Sequence, residues 1–127
     1  MCSLWKLLEM NYGKKKNPLQ GDVILIDLAP KEGHEQQGRR PYVCLSNKII
    51  SDVANIAVFV PISTTKRNYP FYVPIPEGSK TTGKVLLDQL VTIDYNARNY
   101  SYLETLPKAF VLELLAKVKV VFEANKG

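Results

Sequence analysis

From residue 21 onward, short apolar runs of strand length recur along the chain, each closed by proline, glycine, asparagine or aspartate. They cover residues 23–28, 42–46, 56–62, 71–75 and 85–94 and are rich in β-branched and aromatic side chains, the composition of strands. The first and third are almost wholly apolar, as expected of strands covered on both faces. The tail changes period. Phe110, Leu114, Val118 and Val121 (or Phe122) recur every three to four residues, with Val111 and Leu115 widening the stripe. That spacing predicts an amphipathic helix, capped by Thr105 and carrying Pro107 in its first turn. Many short strands followed by one helix predict an α+β domain, a small bent sheet or partly closed barrel with a C-terminal helix packed on it.

Upstream of residue 19 the pattern is different. Residues 3–9 can form a short amphipathic helix with Leu4, Trp5, Leu7 and Leu8 as its apolar part, and residues 12–18 read as a lysine-rich linker. The expected division is an N-terminal extension over residues 1–18 and one domain over residues 19–127. A length of 127 residues supports a single sizeable core. The 46% hydrophobic content is that of an ordinary globular protein. No window approaches the roughly 18 apolar residues needed to span a bilayer. The apolar patch near the start has neither a basic leader nor a small-residue cleavage site, so secretion is not expected. Cys2 and Cys44 are the two cysteines, and Cys44 falls inside a predicted strand. Both read as reduced thiols of a cytoplasmic protein.

The net charge of +5 is unevenly placed. In residues 1–20, Lys6, Lys14, Lys15 and Lys16 stand against Glu9, a balance of +3. The remaining 13 basic and 11 acidic residues leave only +2 for the domain. The charge therefore permits a polyanionic partner without arguing for one.

Candidate chemistry concentrates in residues 33–41, Gly-His-Glu-Gln-Gln-Gly-Arg-Arg-Pro, between two apolar runs. Two glycines grant unusual backbone angles, and Pro41 sets the entry into the next strand. Loops held by rigid strands are where binding and catalysis concentrate. Elimination narrows the options. His34 is the sole histidine, so a pair of imidazoles within one chain is impossible. No His/Cys/Asp/Glu set has metal-ligand spacing, and Asp22 with Asp27 is too sparse for a two-metal centre. No Gly-rich loop of the Walker type is present. A Cys44–His34 thiol mechanism is disfavoured, because a cysteine buried in a strand is inert. Outside the loop, the polar groups are Ser63-Thr64-Thr65 at a strand end, Lys66-Arg67 beyond it, and Asp88-Gln89 within the last run. The hydroxyls of 63–65 can equally serve the backbone where the strand stops. Tyr69-Pro70-Phe71 reads as a turn edging the core rather than a base-stacking platform, and Asp88 as a groove residue or a buried carboxylate held by backbone amides.

Four ordered segments resemble the MazF/PemK (Kid) toxins. They are Gly21-Asp22-Val23-Ile24 running through Leu28-Ala29-Pro30 to the 33–41 loop, then Val60-Pro61-Ile62-Ser63-Thr64, Tyr69-Pro70-Phe71, and residues 88–94 from Asp88-Gln89 to Asp94. The match spans about residues 19–123 and leaves the extension outside. The resemblance implies an SH3-like small β-barrel (MazF/CcdB-type) with an added helix, and a homodimer. It implies the toxin of a type II toxin–antitoxin system, an mRNA interferase needing no metal or other cofactor. Such an enzyme cuts single-stranded RNA at short specific sequences, leaving a 2′,3′-cyclic phosphate and a 5′-hydroxyl, and so inhibits translation and growth. It implies a cognate antitoxin whose C-terminal tail fills the RNA groove, contact with DNA only through that antitoxin, and no membrane role.

Carried over by residue, Arg40 falls on the family's catalytic arginine before proline. Ser63 falls where many relatives have a catalytic threonine, with Thr64 beside it. Glu35 and Gln36 match the RNA-contacting part of the loop, and Asp88 and Gln89 match residues lining the same groove. His34 matches relatives reading Gly-His-Glu-Gln, although others carry serine there. Lys66 and Arg67, just past Ser63, are expected to contact RNA. Some relatives carry a basic residue where this chain has Leu86 or Val91, so sequence preference is expected to differ. Physically, RNA supplies its own 2′-hydroxyl nucleophile, and the protein must stabilise charge, align the groups and move protons. Arg40 suits the charge, Ser63 and Thr64 orientation, and Glu35 or His34 the proton. The alternatives are a CcdB-like toxin that binds gyrase through its C-terminal helix and cuts nothing, and an inactive RNA-binding regulator.

Overall fold

The computed structural model describes residues 17–28 and 38–126. The predicted helix over 3–9, Cys2, and the loop residues His34, Glu35 and Gln36 lie outside them. The strands are β1 (Asp22–Ile26), β2 (Arg40–Cys44), β3 (Ala57–Ser63), β4 (Tyr72–Pro74), β5 (Lys84–Leu86), β6 (Val91–Ile93) and β7 (Tyr100–Thr105). Helix α1 (Lys48–Ala54) joins β2 to β3, a 3-10 turn (Tyr95–Ala97) follows β6, and helix α2 (Lys108–Val121) closes the chain. The strands form one antiparallel sheet in the order β4-β5-β3-β2-β1-β7, with β6 also on β3.

Alternation along the central strands makes two cores, one on each face of the sheet. Val23, Val43, Val60, Ile62 and Val85 join Leu106, Phe110, Val111 and Leu114, placing the first core under α2. Ile24, Ile26, Cys44, Phe59, Ile93 and Tyr95 make the second on the opposite face. Strands β1 and β3 feed both cores, which is why residues 23–26 and 57–62 are apolar. The two ends of the sheet meet through a side chain. Glu104 of β7 accepts from the backbone N–H of Lys80 (3.0 Å) and of Thr81 (2.8 Å) and from Thr81 Oγ1 (2.6 Å), on the loop between β4 and β5.

Several expected boundaries move. The run 85–94 is two strands, broken at Leu87-Asp88 by a turn in which Gln89 N–H donates to Leu86 O. Strand β7 escapes the apolar-run pattern, because all its residues are half-buried or exposed and only Leu103 is purely apolar. Thr105 ends β7 and donates to Asp22 Oδ1 at 2.7 Å instead of capping the helix, whose N-cap is Pro107 without a side-chain bond. The helical stripe is buried at Phe110, Val111 and Leu114 but runs out at Val121 and Phe122, which are exposed. Helix α1 was also unforeseen. Asn47 caps it through Ile49 N–H at 3.0 Å, and Asn55 ends it in the left-handed region. No described helix is long and apolar enough to cross a membrane.

Candidate active site

Strand β2 begins at Arg40 and β3 ends at Ser63. Their antiparallel register pairs Cys44 with Phe59, Val43 with Val60 and Tyr42 with Pro61. The paired residues end at Tyr42–Pro61, two residues short of Arg40 on β2 and of Ser63 on β3, and strand alternation puts Arg40 and Ser63 on the same face as that pair. Ile26 pairs with Arg40 on one side, and Ser63 pairs with Lys84 on the other. Tyr100 pairs with Ile26, and Lys84 with Pro74. The result is two cross-strand runs on one face, Tyr100–Ile26–Arg40 and Ser63–Lys84–Pro74, at the neighbouring ends of β2 and β3. That face is the one carrying the second core. Apolar side chains fill it around Phe59 and Tyr95, and among the described residues Arg40 at its other end is exposed and Ser63 half-buried.

Electrostatics agree with this placement. Burial pushes the Tyr42 hydroxyl above its ordinary pKa, Arg40's charge pulls it back, and Asp27 raises it further. Arg40 and Asp27 therefore both act on the Tyr42 face. Gly38, two residues earlier, has φ +72° and is exposed, as is Arg39. This positive angle is the conformational freedom expected of the loop's second glycine.

Beyond Ser63 the chain is folded by hydroxyls. Ser63 Oγ accepts from Thr65 N–H at 3.2 Å, and Thr65 Oγ1 accepts from Arg67 N–H at 3.1 Å. The structural role expected of these hydroxyls is thus present. It uses Ser63 Oγ as an acceptor and leaves its proton to donate elsewhere. Lys84 Nζ donates to Arg67 O at 2.9 Å. The Arg67 guanidinium lies 5.3 Å from the Tyr69 ring centroid and 6.0 Å from that of Tyr72. Phe71 edges the first core as predicted, whereas Tyr69 is exposed. Lys66 and Thr64 are exposed.

Asp88 and Gln89 are exposed in the turn after β5 rather than inside a strand, so Asp88 is not a buried carboxylate. Cys44 is buried, and its thiol donates to Ser46 O at 3.6 Å. Burial raises its pKa to about 11, which removes it as a nucleophile at neutral pH. Lys84 escaped sequence reasoning. Its only signal was a lysine after Gly83 at the start of an apolar run, and only pairing brings it beside Ser63.

A family model for the PemK-like, MazF-like toxins of type II toxin–antitoxin systems matches residues 19–122. The chain belongs to this family. Endoribonuclease PemK of Escherichia coli is 33% identical over 112 residues, covering 85% of this chain and 84% of that protein. Endoribonuclease toxin MazF of Escherichia coli (strain K12) is 33% identical over 104 residues, covering 82% and 93% respectively. The crystal structure of MazF from Deinococcus radiodurans superposes with a TM-score of 0.72 at 28% identity, covering 84% of this chain and 97% of that one. The MazF-type barrel with a C-terminal helix is therefore the fold of this chain, and the toxin family its lineage. A CcdB-like, non-catalytic reading is not favoured.

Proposed function

We propose that this toxin is a metal-independent, sequence-specific endoribonuclease that cuts single-stranded RNA in the cytoplasm. What supports the reading is that Arg40 and Ser63 share one face at the neighbouring ends of β2 and β3, Arg40 exposed and Ser63 half-buried, in a chain of the PemK/MazF family. In the proposed reaction the RNA's 2′-oxygen attacks the adjacent phosphorus. The 2′-O–P bond forms and the P–O5′ bond breaks, giving a 2′,3′-cyclic phosphate and a 5′-hydroxyl. Arg40 neutralises charge on the non-bridging oxygens; its planar fork matches two of them and stays charged. Ser63, with Thr64 or its amide, donates to the phosphate and aligns it. Glu35 or His34 takes the 2′-proton, and Arg40 or water returns one to the leaving oxygen. Gln36, Lys66, Arg67, Asp88 and Gln89 hold neighbouring nucleotides.

The working unit is a homodimer, and a cognate antitoxin silences it by laying its C-terminal tail along the same groove, with DNA contacted only through that antitoxin. The test is digestion of a long single-stranded RNA in EDTA, with the new 5′ ends sequenced. Cleavage at one short motif by the wild type, lost in Arg40→Ala with the fold retained, is the expected result. Unchanged cutting by Arg40→Ala removes this arginine from the mechanism.

A further inference from the structure

We propose that Lys84, with Tyr72 and Arg67, forms a second nucleotide subsite beside the Arg40–Ser63 pair, Lys84 holding a backbone phosphate and the aromatic arm a base. The inference rests on the ribonuclease reading and deepens it. Lys84 pairs with Ser63 and so shares its face. It stands two strands from Arg40, about 10 Å across the sheet at roughly 4.8 Å per strand. Its ammonium is already drawn toward the β3–β4 connection by Arg67 O. It has three donors and that bond uses one, leaving two for phosphate oxygens.

The aromatic arm begins on the neighbouring strand. Tyr72 is two residues from Pro74, the partner of Lys84, and so lies on the same face. The Tyr69 and Tyr72 rings meet edge to face at 4.9 Å, with the Arg67 guanidinium above both. A packed, partly exposed guanidinium and ring cluster is a sequence-tolerant surface for a nucleobase. Cations and aromatics interleaved in this way fit a single strand running off the Arg40–Ser63 pair. An acidic peptide would use the cations but has no use for the rings.

The test reads binding without cleavage, using a mixed-sequence pool of 2′-O-methyl oligonucleotides, which lack the nucleophilic hydroxyl. Phosphate contact and stacking are both sequence-tolerant, so a pool suffices. Lys84→Met should weaken binding and lower the slope of log affinity against log salt by about 0.7, while Lys84→Arg keeps both. Tyr72→Leu should weaken binding roughly 5- to 150-fold with the salt slope unchanged, while Tyr72→Phe retains it. Should Tyr72→Leu fail to fold, Arg67→Gln on the exposed arm replaces it, with weakened binding expected. If the wild type binds and Lys84→Met and Tyr72→Leu (or Arg67→Gln) bind equally well with the same slope, the subsite is overturned and the ribonuclease reading stands. If the wild type binds no oligonucleotide at all, the subsite is overturned, and the ribonuclease reading is decided separately by the digestion in EDTA.

Discussion

Gly83 backs directly onto Ser63. A Cβ added to Gly83 would lie 2.5 Å from the Ser63 carbonyl oxygen, and its φ of +123° belongs to a region that side-chain-bearing residues avoid. Gly83 thus lets β5 approach β3 where Lys84 and Ser63 pair. Gly83→Ala should lose roughly 1–3 kcal/mol to backbone strain alone, with a further loss as the strands separate. Urea unfolding reads the stability, and RNA cleavage should fall further than the fraction unfolded explains. Wild-type stability in this variant would mean that the close approach relaxes at no cost.

Arg40 is exposed at the start of β2, so its loss should leave stability within about 0.5 kcal/mol. Arg40→Lys keeps a charge but not the planar fork, and should not restore the wild-type rate. Removing a preorganised donor of this kind costs about 10²–10³-fold. Single-turnover cleavage of one defined RNA distinguishes the two variants. A lysine that works as well as arginine would reduce the role to point charge.

Glu104 ties β7 to the loop between β4 and β5. Burial pushes its carboxyl up, but the bonds from Thr81 and Lys80 and the charge of Lys80 outweigh burial and hold it below the ordinary value. A carboxyl depressed on folding stabilises above its unfolded pKa, and that contribution is lost as pH falls through the folded one. Stability should therefore drop below about pH 4.5, and Glu104→Gln should flatten that part of the curve. At pH 7 the variant should cost about 1 kcal/mol. Unfolding midpoints from pH 3 to 7 test both points.

Cys44 behaves in the opposite sense. Its pKa is raised to about 11, so the buried thiol contributes fully below about pH 9, and the contribution fades between the unfolded and folded values. Two units correspond to roughly 2–3 kcal/mol. In a Cys2→Ser background the native protein should resist alkylation at pH 8 and react on unfolding. Cys44→Ala should lose part of the wild type's destabilisation between about pH 9 and 11. Rapid labelling of the native form would refute the burial argument.

The candidate site was legible as contiguous segments, the 33–41 loop and Ser63-Thr64-Thr65, and the family resemblance singled out Arg40 and Ser63 within them. Apolar runs on β1 and β3 announced double-sided burial, and a 3.6-residue period announced α2. The misses have one cause. Strand β7 and the break at Leu87-Asp88 depend on which neighbour each residue meets, and local composition carries no record of that. Helix α1 lies in a stretch assigned to no element, because β-branched Ile49, Ile50 and Val53 blur a helical signal that only the flanking asparagines carry.

Unaided by coordinates, the linear order of residues determined the class of fold and the inertness of the strand thiol, because both follow from side-chain chemistry and short-range periodicity. The proposed roles of Arg40 and Ser63 came from the family resemblance. Only the tertiary structure decided that Lys84 lies beside Ser63 and that Glu104 ties the two ends of the sheet together. Strand register brings residues tens of positions apart into one row, and register is settled by packing across the whole sheet.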